Sequence, residues 1–256
     1  DLQSGDELTR SIWRELINVS LAGFNVAYQR LGVLLTDDDL AGESMYNDEL
    51  PAIVAELERN GTAVIDDGAL CVFVDGFAAP MIVRKRDGGF GYSATDLAAV
   101  RHRVRDLHAD RIIYVVDARQ SDHFDLVFGV ARKAGFLPDD VITEHVAFGT
   151  VLGTDGKPFK TREGTAVNLN TLLDAAEEQA APPVALAAIK YADLSNGLNK
   201  DYVFDVSRMV QTTGNTGPYL QYAHARVTQV LRKGAARGYG EQSKVLLLEE
   251  PAEQAL

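Results

Sequence analysis

The segment from Arg111 to Phe148 constrains the fold more than any other. Arg111 to Val116 is an unbroken strand-like run, Asp122 to Ala134 has helical periodicity, and Val141 to Phe148 reads as a second strand. Strand, helix and strand in that order make a β-α-β unit, whose two strands lie parallel with a right-handed crossover. The expected class is therefore α/β, with a parallel Rossmann-like sheet and helices around it. In open parallel sheets, ligands bind beyond the carboxyl ends of the strands, where loops turn into helix starts. Two polar clusters fall at such ends, Asp117 to His123 and His145 to Gly149.

Upstream, apolar residues at helical spacing (Leu8, Ile12, Trp13, Leu16, Leu21, Phe24) predict one long, well-buried helix from Glu7 to Leu31, with Trp13 in the core. The acidic run Asp37-Asp38-Asp39 reads as a solvated turn, since it lacks the Gly and Glu placing of a calcium loop. A second helix is expected from about Glu49 to Arg59, stopped by Asn60-Gly61, and then strands over Leu70 to Val74 and Met81 to Arg86. Gly91 to Asp96 introduces a helix from about Leu97 to Leu107. Beyond Gly164 the pattern is helical throughout: Leu169 to Ala180, Pro183 to Leu194, Phe204 to Val210 and Pro218 to Lys233, punctuated by Pro and Gly. The fold thus reads as an α/β part followed by an all-helical segment, with the boundary near 165 to 180.

The chain has 256 residues, 46% of them hydrophobic, enough to bury a core. Its apolar runs, such as Val245 to Leu248, are far short of the roughly 20 residues that span a bilayer, so no membrane is expected and a cytoplasmic setting is. The single cysteine, Cys71, lies in a strand-like run and excludes both a disulfide framework and a cysteine metal site. A formal net charge of −12 repels polyanions in general, so a nucleic acid can be met only along a restricted basic strip. The chain opens at Asp1 rather than Met, which makes a fragment the working expectation.

Four groups of residues can carry chemistry. Gly149 to Gly164 combines flexible glycines with Lys157, Lys160 and Arg162, so it reads either as a phosphate site or as a solvated loop; its spacing is not that of a Walker loop. Tyr92 and Asp96, with Gln120 at the end of the next strand, offer a carboxylate and neutral orienting groups suited to a planar cation such as a guanidinium. The alternative is that Thr95 or Asp96 caps the helix. His145 lies at a strand end, where it serves a nucleotide or the structure. Tyr219, Tyr222 and Arg226 share one helix with Arg232 and Lys233, a strip that either stacks on RNA or packs its tyrosines inside a bundle. No set of residues has zinc-ligand spacing, and no metal site is expected.

Taken together, several segments resemble the arginyl-tRNA synthetase family, a branch of the class I aminoacyl-tRNA synthetases. The resemblance runs from about Trp13 to Lys233 and rests on Tyr92 to Ala99, Tyr114 to Phe124, His145 to Gly149, Asp155 to Arg162, Ala188 to Leu194 and Gly214 to Arg226, all in family order. It implies that Lys157-Pro158-Phe159-Lys160-Thr161 is the family's form of the Lys-Met-Ser-Lys-Ser loop, with Lys157 and Lys160 catalytic and Lys160 steadying the ATP phosphates. Tyr92, Asp96 and Gln120 match the arginine pocket. His145, Val146, Phe148 and Gly149 match the strand end that borders ATP. The strip of Tyr219, Tyr222 and Arg226 becomes a tRNA contact.

The implied reaction joins arginine to ATP and transfers the arginyl group to tRNA(Arg), with Mg2+ accompanying ATP and the protein a monomer that binds no DNA. The implied domains are 1–175, the C-terminal portion of the catalytic domain; 176–210, stem-contact helices; and 211–256, the start of the helical anticodon-binding domain. The family's His-x-Gly-His motif is not in this sequence and is expected before Asp1. A second reading is therefore a truncated, non-catalytic paralogue that binds arginine or tRNA.

Overall fold

The structure, a computed structural model, describes residues 2, 5–158 and 169–239. The chain divides into two compact units, Asp1–Leu152 with Asn196–Tyr202, and Gly153–Ser195 with Val203–Leu256.

The first unit opens with α1 (Glu7–Leu31), capped by the Asp6 side chain on the Thr9 amide and ended by left-handed Gly32. Its extent matches the sequence pattern, but its expected burial does not. Leu8, Ile12, Leu16 and Phe24 are exposed, Trp13 is only partly covered, and Ala27 alone is buried. Helical spacing defines an apolar face without specifying what covers it. The acidic run forms a single 3-10 turn, in which Thr36 and Asp39 cap each other.

Next come α2 (Leu50–Arg59), β1 (Val64–Asp66), β2 (Ala69–Val72) and β3 (Met81–Arg84), the three strands forming one antiparallel sheet in that order. Strand β1 has no counterpart in the sequence reading. It exists because Asp67 and Gly68, both at positive φ, close a two-residue hairpin onto β2. Residues alternate along β3, with Met81 and Val83 buried and Ile82 exposed.

Helix α3 (Tyr92–Arg105) starts five residues before the expected Leu97, because Gly91 in extended conformation is its N-cap. Strand β4 (Arg111–Asp117) then leads through a short 3-10 turn into α4 (Ser121–Lys133) and β5 (Ile142–Phe148). As the β-α-β order requires, β4 and β5 pair in parallel, with Tyr114 opposite His145 and Asp117 opposite Phe148. Leu50, Ile53, Val54 and Leu57 of α2 join β2, β3, α3, α4 and Ile112 of β4 in one core. Each such side chain contributes about 1.5–3 kcal/mol on burial. Cys71 of β2 is a buried free thiol, and burial pushes its ionisation up. After β5 the chain forms β6 (Val151–Leu152).

In the second unit, α5 (Leu169–Glu177) packs on α6 (Pro182–Leu194), which starts at Pro182 with Ala181 as N-cap. Next in the chain are β7 (Tyr202–Val203), whose Tyr202 belongs to the first unit, and then, in the second, α7 (Val206–Met209) and α8 (Gly217–Ala236). The helix expected over Phe204 to Val210 is thus a single turn, and β7 interrupts a stretch that was expected to be all helical. Gly217 lies where α8 meets α6: a Cβ there would stand 2.0 Å from the Ala187 carbonyl oxygen. Gly217→Ala is expected to destabilise this unit by about 1–3 kcal/mol, as overpacking does. Denaturant unfolding checks it, since an unchanged midpoint means that the two backbones do not need this approach.

Candidate arginine pocket

The start of α3 places Tyr92 and Asp96 one helical turn apart on the same face. Neither Asp96 nor Thr95 caps the helix. Thr95 is buried and its hydroxyl donates to the Tyr92 carbonyl at 2.7 Å, which leaves the Asp96 carboxylate for other contacts. That carboxylate meets α4: Asp96 Oδ2 lies 2.7 Å from His123 Nε2. The ring of Tyr92 comes to the same imidazole, with centroids 4.9 Å apart. Gln120 is exposed and is the N-cap residue of α4, so it stands at the head of the helix that carries His123. Two parts of the proposed set, Tyr92 and Asp96, are therefore joined through a residue that was not among the candidates. His123 could have been found, because it lies in the polar cluster after β4 and in the His123-Phe124 pair that supported the resemblance.

Beneath this layer, aromatic contacts continue. Phe124 is buried between His123 (5.1 Å), Tyr114 (4.4 Å) and His145 (5.6 Å). The imidazole of His145 also meets the Val116 carbonyl oxygen at 3.2 Å, which ties it to the neighbouring strand. Arg103, from the last turn of α3, donates to the Tyr114 hydroxyl at 2.6 Å and lies over its ring. Burial pushes the Tyr114 phenol up to about 12, Arg103 opposing and Asp96 adding to the rise. At the end of β4, Arg119 donates to Asp117 at 2.9 Å and holds that partly exposed carboxyl down at about 2.

At the end of β5, Val146 is half-buried and Phe148 exposed, and Gly149 just beyond it meets the segment Asn196–Tyr202. The Gly149 amide donates to the Leu198 carbonyl at 2.8 Å, and the Thr150 amide to Asp201 at 2.6 Å. A Cβ on Gly149 would stand 2.3 Å from the Lys200 backbone, so only glycine fits.

The remaining candidates belong to the second unit. Lys157 is exposed; its amide donates to Asp155 at 3.1 Å and its carbonyl accepts from Gly153 at 2.8 Å, forming a small turn. Lys160 and Arg162 lie outside the described residues. Tyr219 and Tyr222, which spacing allowed to pack inside a bundle, are about half exposed instead, and Arg226 donates to the Tyr222 hydroxyl at 2.7 Å. Among the described residues no cluster of three His, Cys, Asp or Glu could hold a metal ion, and no helix is long and apolar enough to cross a membrane.

Set beside known proteins, residues 1–183 match the family described as tRNA synthetases class I (R), catalytic domain. The chain is 66% identical over 266 residues to the arginine–tRNA ligase of Cutibacterium acnes, covering all of this chain and 48% of that protein. It is 52% identical over 280 residues to the arginine–tRNA ligase of Frankia casuarinae, again covering the whole chain and 47% of the relative. The crystal structure of arginyl-tRNA synthetase from Plasmodium falciparum superposes with a TM-score of 0.78 at 27% identity, over 96% of this chain and 43% of that one. The fold is thus that of a class I aminoacyl-tRNA synthetase catalytic domain. Within that class, the chain belongs to the arginyl-tRNA synthetase family. It spans about half the length of the curated relatives it matches.

Two outcomes follow from this geometry. Tyr114 holds its proton more tightly in the folded state than at the ordinary tyrosine value of 10, so its contribution to stability is intact below pH 10 and is lost as pH rises from there through about 12. An alkaline absorbance titration should show one phenol ionising late, and Tyr114→Phe should remove that step. Gly149→Ala should release the 196–202 segment and cost about 1–3 kcal/mol. Hydrogen exchange at the Gly149 and Thr150 amides reads this directly, and unchanged protection there would contradict it.

Proposed function

We propose that this chain serves an arginine–tRNA ligase, which forms arginyl adenylate from arginine and ATP and then transfers the arginyl group to the terminal adenosine of tRNA(Arg). The reaction is assigned to the protein at the full length of its relatives. One observation carries the proposal: a partly buried carboxylate, Asp96, stands with an aromatic ring at the edge where the parallel strands end.

In this reading Asp96 pairs with the substrate guanidinium, a charge-assisted contact in which a planar fork meets two carboxylate oxygens. Tyr92 covers the guanidinium plane, since cations are attracted to aromatic faces. Gln120 adds neutral hydrogen bonds that orient it. Along the same edge, His145, Val146, Phe148 and Gly149 border ATP. His145 is tied to Val116 and the Gly149 amide to Leu198, so the apolar Val146 and Phe148 supply the surface for the nucleotide. Lys157 and Lys160 neutralise charge that develops on the phosphates, and Lys160→Ala should slow adenylate formation. Mg2+ enters with the ATP phosphates, as it commonly does where proteins offer few carboxylates.

Tyr219, Tyr222 and Arg226 meet the tRNA, their exposure allowing stacking and phosphate contact. Residues 1–175 then form the C-terminal portion of the catalytic domain, 176–210 the stem-contact helices, and 211–256 the start of the anticodon-binding domain. The protein works as a cytoplasmic monomer, with no DNA or membrane partner.

Calorimetry with arginine and its neutral near-isostere citrulline tests the pocket. Arginine should bind selectively, and Asp96→Asn should weaken it by about 1.5–3 kcal/mol, the range for a hydrogen bond to a charged group, while ATP affinity stays within about twofold. Equal loss of arginine and ATP would place Asp96 outside the amino-acid pocket.

A further inference from the structure

We propose that His123 is the positioning residue of the guanidinium pocket: its Nε2–H holds the Asp96 carboxylate in the orientation that a planar cation requires. The proposal rests on the reading of Asp96 as the guanidinium contact, and it adds the residue that makes that contact specific.

The geometry supports each part. Asp96 Oδ2 and His123 Nε2 are 2.7 Å apart, with side-chain exposures of 23% and 16%, so the pair is largely shielded from competing water. A carboxylate only accepts hydrogen bonds, so the proton between them belongs to Nε2. An unpinned aspartate turns freely about two bonds, and ordering it would weaken any ligand that needed one orientation. His123 cannot turn with it. Its ring contacts Tyr92 at 4.9 Å and Phe124 at 5.1 Å, and Phe124 is itself anchored by Tyr114 and His145.

The choice of imidazole matters as well. Lysine or arginine at this position would bring a permanent cation onto Asp96 and compete with the substrate. Imidazole can donate the same bond while neutral, which leaves the carboxylate charge available. One hydrogen bond to Oδ2 also leaves capacity for a fork-shaped partner, since a carboxylate offers about four lone-pair sites. Among the described residues, Oδ1 of Asp96 takes part in no hydrogen bond.

Two substitutions separate hydrogen bonding from ring packing. His123→Phe keeps a ring between Tyr92 and Phe124 without the donor, whereas His123→Gln keeps a donor without the ring. In the full-length protein, His123→Phe should raise the KM for arginine about tenfold, as loss of a charge-assisted hydrogen bond does, with kcat and the KM for ATP within about threefold. His123→Gln should restore the arginine KM to within about threefold of the unmodified protein. The opposite order, with His123→Phe normal and His123→Gln impaired, overturns the proposal.

Asp96→Asn in parallel distinguishes the two readings. If it raises the arginine KM and His123→Phe does not, positioning fails and the pocket stands. If it leaves the arginine KM unchanged, the pocket reading itself fails and takes the proposal with it. Should His123→Phe not fold, nitrogen-15 NMR of the unmodified imidazole decides. A protonated Nε2 whose resonance moves with arginine but not with citrulline supports the proposal, and an unprotonated or unresponsive Nε2 overturns it.

Discussion

The parallel ladder between β4 and β5 is the constraint on which the first unit depends. Because both strands run the same way, they end side by side, with Asp117 opposite Phe148. Whatever follows each strand therefore emerges on one edge: the turn into α4 after β4, and the Gly149 backbone after β5. Antiparallel pairing would have sent these segments to opposite ends. Helix α3 completes the arrangement by packing on α4, which brings the Tyr92 and Asp96 turn to the first turn of α4. The candidate site is thus assembled from the starts of two helices whose positions are set by buried Leu97, Val100, Val127 and Phe128.

A ladder of aromatic contacts joins the two halves of that edge. It runs from Tyr92 through His123 and Phe124 to Tyr114 and His145, with successive centroids between 4.4 and 5.6 Å apart. Tilted ring contacts add about 0.5–1.5 kcal/mol each beyond the area they bury, and they resist rotation because each ring is hemmed by the next. The partly buried polar side chains of Asp96 and His145 are in this way supported by neighbouring rings. Such support matters where chemistry depends on sub-ångström placement.

The large divisions of the fold and the parallel pairing of β4 with β5 are legible in the sequence, whereas the contacts between helices are not. Periodicity found α2, α4, β4 and β5 to within a residue or two, because each has one buried face and a clear stop. It placed α3 too late, since Tyr92, Ser93 and Thr95 look like a polar loop until Gly91 is recognised as the cap. Strand β1 escapes the periodicity although Asp67-Gly68 is a strong hairpin pattern, because three exposed residues are too few to show a buried face. For α1 the pattern was read correctly as a helix and wrongly as buried, since amphipathicity names a face and not its cover. The contact between Asp96 and His123 spans 27 positions and obeys no local rule. Only the packing of α3 against α4 creates it.

Arginines are held in two ways. Several in the first unit are matched to carboxylates: Arg84 to Glu58, Arg105 to Asp106, Arg111 to Glu144 and Arg119 to Asp117. Exposed pairs of this kind add little stability, but they neutralise positive charge locally in a chain of net charge −12. Arg226 on α8, like Arg103 on Tyr114, is held instead by a phenol. It donates to the neutral Tyr222 hydroxyl and lies 5.6 Å from that ring's centroid, so its side chain is ordered while its charge stays uncompensated by that partner. An ordered, uncompensated guanidinium beside half-exposed rings is a surface on which an anion with stacking bases gains twice, through charge and through ring contact. On the proposed tRNA contact, a strip of this kind lets a chain of net charge −12 meet a polyanion along one helix face.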